Sequence, residues 1–121
     1  MAGSMLQVYA KPSAEAVEFY RKAFRAVIGN DWRNADGSCA HVDMNFEGVT
    51  LAVSEAPDGN SPGTNMQFCI SFSDDESVDI AYSVLSDGAS IVCPIGECPY
   101  SRRMFALTDR FGVNWCVYTI G

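Results

Sequence analysis

His41 is the only histidine of the chain, and Asp43 follows it two residues later. The segment Cys39–Phe46 alternates polar and apolar side chains. This pattern predicts a half-buried strand that carries His41 and Asp43 on its polar face. An imidazole beside a carboxylate can act as a general acid or base near neutral pH. A histidine that makes only local hydrogen bonds is the structural alternative, and the residues alone leave both interpretations open.

The thiols form a second group of reactive side chains. Their number is odd, they include no C-x-x-C spacing, and no secretion signal precedes them; they are Cys39, Cys69, Cys93, Cys98 and Cys116. These features predict reduced thiols in a cytoplasmic protein. We interpret residues 1–4 as a remnant of cloning that precedes a native Met5.

Composition and charge exclude several classes of partner. Eight basic and 15 acidic residues give a net charge of −7, and the basic residues cluster no further than the adjacent pairs Arg21–Lys22 and Arg102–Arg103. Nucleic acids bind through clustered Lys and Arg, so we expect no nucleic-acid partner. No apolar run is long enough to cross a bilayer, so we expect no membrane partner. With 48% hydrophobic residues, the 121-residue chain can form the core of one domain.

The strands and helices that must position these residues occur in the same order twice. In the first half, periodicity and turn residues predict a strand over 6–10, a helix over 14–28 with Ser13 as N-cap, and strands over 31–34, 39–46 and 49–55. In the second half they predict a strand over 66–72, a helix that begins after Ser73 or Asp74, and strands over 89–93, 102–108 and 113–120.

The repeated order predicts an α+β fold made of two tandem βαβββ modules. Module one spans about 5–55, the turn-rich segment 56–65 is a connector, and module two spans 66–121. One such module cannot bury both faces of its sheet. We therefore expect curved mixed sheets with the helices outside and a concave cavity inside.

Three segments in this order resemble a known family: 16–24 (AVEFYRKAF), 36–42 (DGSCAHV) and 108–115 (TDRFGVNW). They are similar to segments of the vicinal-oxygen-chelate superfamily, which has the glyoxalase/bleomycin-resistance/dioxygenase fold. Their residues most resemble those of its PhnB-like branch. The resemblance implies the same two-module fold. Activity is not implied, because one fold supports many functions.

The resemblance also implies where a metal would bind. Metal-dependent members use His, Glu or Gln at four strand positions, and the repeat places Met5, Ala52, Gln67 and Cys116 at these positions. This set lacks the imidazole and carboxylate ligands that divalent metals prefer. We therefore expect no metal at this site and no other cofactor.

Further ligand-binding candidates lie in the second half. Arg103 matches an arginine of the PhnB-like branch, where it would bind an anionic group; a salt bridge to an acidic neighbour is the alternative. Cys116 and Tyr118 share one face of the last strand, which we expect to line the cavity. The full predicted set of ligand-binding residues is His41, Asp43, Gln67, Arg103, Cys116 and Tyr118.

The sequence therefore predicts a homodimeric protein that binds a small organic ligand in its cavity. One alternative is an enzyme of the same superfamily, a lyase, isomerase or dioxygenase-like protein, that uses His41 and Asp43. Another is a structural dimer with no ligand. The sequence does not identify the ligand.

Overall fold

The computed structural model describes all residues, Met1–Gly121, and divides into two compact units, Met1–Ser61 and Pro62–Gly121. The first unit contains β1 (Leu6–Ala10), α1 (Ser13–Phe24), β2 (Val27–Arg33), β3 (Cys39–Phe46) and β4 (Val49–Glu55). The second contains β5 (Phe68–Phe72), α2 (Asp75–Leu85), β6 (Ser90–Cys98), β7 (Ser101–Thr108) and β8 (Asn114–Thr119).

The first unit is a four-stranded mixed sheet with one helix packed on it. The strand order is β1-β4-β3-β2, with β1 parallel to β4 and the other pairs antiparallel. The ring of Phe24 on α1 stacks on Phe46 of β3 at 4.6 Å between centroids. Tyr20 is completely buried in the same layer. The apolar stripe of α1 therefore packs on the side of the sheet that carries Phe46.

The second unit repeats this plan. Its strand order is β5-β8-β7-β6, with β5 parallel to β8. The Tyr82 ring on α2 meets Phe105 of β7 edge to face at 5.0 Å. Each unit is thus a βαβββ module, which confirms the predicted α+β fold with two repeated modules. The division at Ser61 and Pro62 falls within the segment 56–65.

The first helix ends earlier than the periodicity predicts. It stops at Phe24, because Arg25 adopts a left-handed conformation with φ of 51°. Val27 and Ile28 continue the helical spacing in sequence, but they begin strand β2, and Val27 is 71% exposed. Both are β-branched, which favours an extended backbone.

Ser13 does not have the predicted role of N-cap. It is the first residue of α1, Pro12 occupies the cap position, and the Glu55 carboxylate accepts a hydrogen bond of 3.0 Å from the Ser13 backbone N–H. Instead, the Ser13 hydroxyl accepts a hydrogen bond of 2.8 Å from the backbone N–H of Cys39. Ser13 therefore connects the start of the helix to the start of β3.

Strand β6 is longer than predicted, and β5 is shorter. The sequence predicts a strand that ends at residue 93, before Pro94, but the strand continues to Cys98. Since β6 is an edge strand with an irregular register, a proline is tolerated within it. Strand β5 begins at Phe68, so Gln67 immediately precedes it.

None of the helices is both long and apolar enough to span a membrane.

Candidate functional site

His41 and Asp43 form a hydrogen-bonded pair on β3. His41 Nε2 lies 3.1 Å from Asp43 Oδ2, and the two side chains are 25% and 11% exposed. The pairing follows from strand geometry, because residues two apart project from the same face. The predicted histidine–carboxylate pair is therefore present, with the imidazole partly accessible to solvent.

Strand β2 holds the Asp43 carboxylate in place. The backbone N–H of Asn30 donates to Oδ1 at 3.0 Å, and its side-chain amide donates to Oδ2 at 3.0 Å. The backbone bond of Asn30 is the leading cause that holds the pKa of Asp43 below its ordinary value, and the bond from His41 adds to it. Asp43 therefore remains ionised and can accept a hydrogen bond from the imidazole of His41.

A glycine makes room for this carboxylate. A Cβ atom at Gly29 would lie 2.5 Å from Asp43 Oδ1, closer than real Cβ atoms approach such an oxygen. The register of β2 against β3 shifts between Ile28 and Asp31, next to this glycine. Such bulges redirect backbone groups away from regular ladder pairing. The irregularity turns the Asn30 N–H towards the carboxylate.

Trp32 lies beside the imidazole. It pairs with His41 across β2 and β3, and the ring centroids are 5.7 Å apart. Its side chain is 62% exposed, which is unusual for a large aromatic residue in a folded chain. A flat apolar surface thus adjoins a group that can donate or accept a hydrogen bond.

The same side of the first sheet carries further polar groups. Gln7 on β1 donates to the Ser54 hydroxyl on β4 at 3.1 Å. Asp43 pairs with Ala52, and Gln7 pairs with the same alanine, so these residues share one face. We call the side of this sheet turned away from α1 the His41 face, defined by Gln7, Trp32, His41, Asp43 and Ser54.

Cys39 does not belong to this face, although the alternation places it there. It is 1% exposed, and its backbone N–H bonds to Ser13 at the start of α1. A register shift between Trp32 and Arg33 interrupts the regular alternation at this end of β3.

The second unit presents a different chemistry on the corresponding side of its sheet. Phe105 packs on α2, and it pairs with Val117, so the neighbouring residues Cys116 and Tyr118 project from the opposite side. Cys69 of β5 pairs with Cys116 and projects with it. We call this side the thiol face, defined by Cys69, Cys116 and Tyr118.

Tyr100 and Gln67 border the thiol face. The Tyr100 hydroxyl lies 3.8 Å from Cys116 Sγ, and its ring meets Tyr118 edge to face at 5.5 Å. Cys69 Sγ donates to Gln67 Oε1 at 3.6 Å. Burial raises the pKa of the Cys116 thiol, and the contact with Cys116 is the main cause that raises the pKa of Tyr100 to about 12.

Arg103 lies on the other side of this sheet. It is two residues from Phe105 on β7, and its guanidinium forms an ion pair with Asp79 of α2. Of the two alternatives, the structure shows the salt bridge to an acidic neighbour. The expected position facing a ligand is corrected, because strand alternation turns Arg103 towards the helix.

The four positions implied for a superfamily metal do not form a suitable set of donors. Met5 and Gln67 lie just before β1 and β5, while Gln7 and Cys69 are the direct neighbours of Ala52 and Cys116. Whether the first strand of each unit contributes Met5 and Gln67 or Gln7 and Cys69, the side chains are amides, thiols or apolar groups. None of them is the imidazole or carboxylate that divalent metals prefer. No group of three or more His, Cys, Asp or Glu side chains is arranged to hold a metal ion. That no metal binds stays a prediction.

Three residues that shape these faces were missed by the sequence analysis: Asn30, Trp32 and Tyr100. From the residues alone, Asn30 belongs to a helix stop, because Val27 and Ile28 match the helical spacing. The residues alone leave open whether Trp32 belongs to the core or to the wall of a cavity. Trp32 could have been assigned to the same face as His41 only if the pairing of β2 with β3 had been known.

Comparison with known families gives one match over most of the chain. The model of the Glyoxalase/Bleomycin resistance protein/Dioxygenase superfamily matches residues 4–117. No curated protein shows significant similarity in sequence.

Solved structures share the fold at low sequence identity. A putative 3-demethylubiquinone-9 3-methyltransferase, PhnB protein, from Bacillus cereus is 20% identical over 98% of both chains, with a TM-score of 0.78. TioX from Micromonospora sp. is 24% identical over 97% of this chain and 98% of its own, with a TM-score of 0.68. The fosfomycin resistance protein FosX from Listeria monocytogenes, solved as a mutant with Mn(II) and a dihydroxypropylphosphonic acid, is 12% identical over 97% and 90%, with a TM-score of 0.72.

Proposed function

Because the chain belongs to the glyoxalase/bleomycin resistance protein/dioxygenase superfamily, we propose that it binds a small organic ligand on the His41 face without the superfamily's metal. The observation that carries this proposal is the exposed Trp32 ring beside the partly exposed imidazole of His41. Small-molecule sites combine apolar and aromatic surface with a few placed polar groups.

The fixed carboxylate gives the imidazole a defined hydrogen-bonding role. An ionised Asp43 accepts from the N–H of Nε2, which leaves Nδ1 as an acceptor in the neutral ring. A ligand that stacks on Trp32 and offers an O–H or N–H group matches this arrangement. Asn30 and Gly29 keep the carboxylate in place before any ligand arrives, which lowers the entropic cost of binding.

Three further predicted ligand contacts, Cys116, Tyr118 and Gln67, belong to the second unit, and ligand binding by them stays a prediction. These side chains were predicted as ligand contacts, and they lie on or beside the thiol face. Arg103 is not included, because its guanidinium pairs with Asp79.

Ligand binding can be tested by screening a library of small aromatic and aliphatic compounds for a rise in melting temperature. A compound that binds only the folded protein raises its apparent stability. Hits should also change the fluorescence of Trp32, since Trp115 is completely buried. We expect Trp32→Ala and His41→Ala to weaken binding and Lys22→Ala, on the exposed side of α1, to leave it unchanged.

The proposal fails if no hit depends on Trp32 or His41. It also fails if the three variants weaken binding equally, because that result would indicate a ligand held elsewhere.

Acid–base catalysis is the second candidate function, and the hydrogen bond between His41 and Asp43 favours it. A positioned general base accelerates a reaction by roughly 10²–10⁴-fold, which is small beside the total acceleration typical of enzymes. We therefore rank binding above catalysis. If a hit is converted to product and His41→Ala lowers turnover by orders of magnitude while affinity holds, the protein is a lyase- or isomerase-type enzyme of this superfamily.

A further inference from the structure

The thiol face brings two cysteines from different strands into direct register. Cys69 and Cys116 are Cα partners on the parallel strands β5 and β8. We propose that this pair is a site of reversible oxidation, at which a peroxide converts the two thiols into a disulfide. This proposal does not depend on the ligand-binding function of the His41 face.

The backbone geometry fits a disulfide. Neighbouring strands lie about 4.8 Å apart. Disulfides join Cα atoms separated by about 4.4–6.8 Å. Paired residues of adjacent strands project to the same side of the sheet, so the two Cβ atoms do not point apart. Rotation of the side chains can therefore bring the sulfur atoms into bonding distance without a change of register.

The two thiols differ in access to solvent. Cys69 is exposed, whereas Cys116 is 6% exposed and lies beneath the Tyr100 hydroxyl. A dissolved oxidant therefore reaches Cys69 first. Cys116 lies next to the product of that reaction, where it can attack before water or another oxidant molecule does.

The chemistry then balances in two steps. A peroxide transfers one oxygen atom to the Cys69 sulfur, which becomes a sulfenic acid, while the peroxide is reduced to an alcohol or, from hydrogen peroxide, to water. The Cys116 sulfur attacks the Cys69 sulfur and forms the S–S bond. The sulfenic oxygen leaves as water after taking up the Cys116 proton. Thiols of small molecules reverse the reaction by exchange.

The other cysteines lack such a partner in register. Cys93 pairs with Ala106, and Cys98 pairs with Ser101, both across β6 and β7. Cys39 is 1% exposed within the first unit. We therefore expect a disulfide to form selectively between Cys69 and Cys116.

The test is treatment of the reduced, full-length protein with hydrogen peroxide, followed by alkylation of free thiols and peptide mass mapping. We expect loss of two of the five thiols, a linked peptide that contains Cys69 and Cys116, and recovery of all five thiols with dithiothreitol. Because this experiment uses the parent sequence, its result does not depend on whether a variant folds.

Matched variants distinguish the thiol that reacts with peroxide, Cys69, from the thiol that then forms the disulfide, Cys116. Cys69→Ser should keep its four remaining thiols, whereas Cys116→Ser should accumulate a sulfenic acid at Cys69 that a dimedone reagent traps. Cys93→Ser should lose two thiols as the parent does. A disulfide between any other pair would overturn the proposal, and so would oxidation of all five thiols at similar rates.

Discussion

The hydrogen bonds of Asp43 make a prediction about acid stability. Since its pKa in the folded chain lies below the ordinary value of 3.8, the carboxylate stabilises the fold at pH values above about 4. This contribution is lost as the pH falls through the lower pKa of the folded state, because protons then bind the unfolded chain more readily. The free energy of unfolding of Asp43→Asn should therefore depend less on pH than that of the parent between about pH 5 and 2.

Urea unfolding of both proteins across this pH range measures the difference. Other carboxylates with lowered pKa values are present in both proteins, so their contributions cancel. Asp87→Asn, at an exposed position after α2, serves as the control and should follow the parent. Parallel curves for Asp43→Asn and the parent would contradict the role assigned to the Asn30 contacts.

Single residues show which contacts of the candidate site can be predicted from the sequence. The pairing of His41 with Asp43 was predictable, because it depends only on the two-residue period within one strand. The contacts that fix Asp43 were not, since Gly29 and Asn30 belong to another strand with an irregular register. The position of Arg103 was not predictable for a similar reason. The sequence does not show which residues of β7 face α2, and Arg103 is one of them.

At the scale of elements, the segment 108–115, one of the three that carry the family resemblance, proves to have a structural role. Asp109 is 4% exposed at the turn between β7 and β8. Its Oδ1 accepts from the backbone N–H groups of Phe111 and Val113 at 2.8 and 3.1 Å, and its Oδ2 accepts from Trp115 Nε1 at 2.8 Å. Gly112 completes the turn with φ of 86°, a conformation that glycine adopts readily.

This turn predicts a large effect of a conservative substitution. Asp109→Asn leaves one carbonyl oxygen for three N–H donors, so a donor in or near the core loses its acceptor. An unsatisfied buried donor costs about 1–3 kcal/mol, and the free energy of unfolding should fall by that amount. Urea denaturation measures the loss. The exposed Asp87→Asn should cost much less, and equal losses in the two variants would show that the Asp109 contacts contribute little.

The elements also explain which boundaries were wrong. Helix α1 was predicted to end at residue 28, because Val27 and Ile28 match its periodicity, whereas Arg25 already terminates it in a left-handed conformation. Nothing in the residue type of Arg25 indicates this conformation, which glycine adopts far more readily. The order of elements was predicted correctly, since it depends on long alternating or helical segments that local errors do not remove.

At the scale of the whole molecule, the edge strands bear on the oligomeric state. Strand β2 in the first unit and β6 in the second each pair on one side only, which leaves backbone groups open on the other. Both edges also expose large apolar side chains outside the His41 face: Val27 on β2, and Ile91 and Val92 on β6. Exposed apolar groups beside an unpaired edge are typical of surfaces that associate.

We therefore expect a homodimer. Light scattering at working concentration should give twice the 13.1 kDa mass of the chain. The substitution Val92→Lys, at a position that is 68% exposed on an edge strand, should weaken association, because charged side chains on edges oppose pairing with another chain. Lys22→Ala, on a helix, should leave the mass unchanged. A parent protein of single-chain mass would show that each chain folds and remains alone in spite of its open edges.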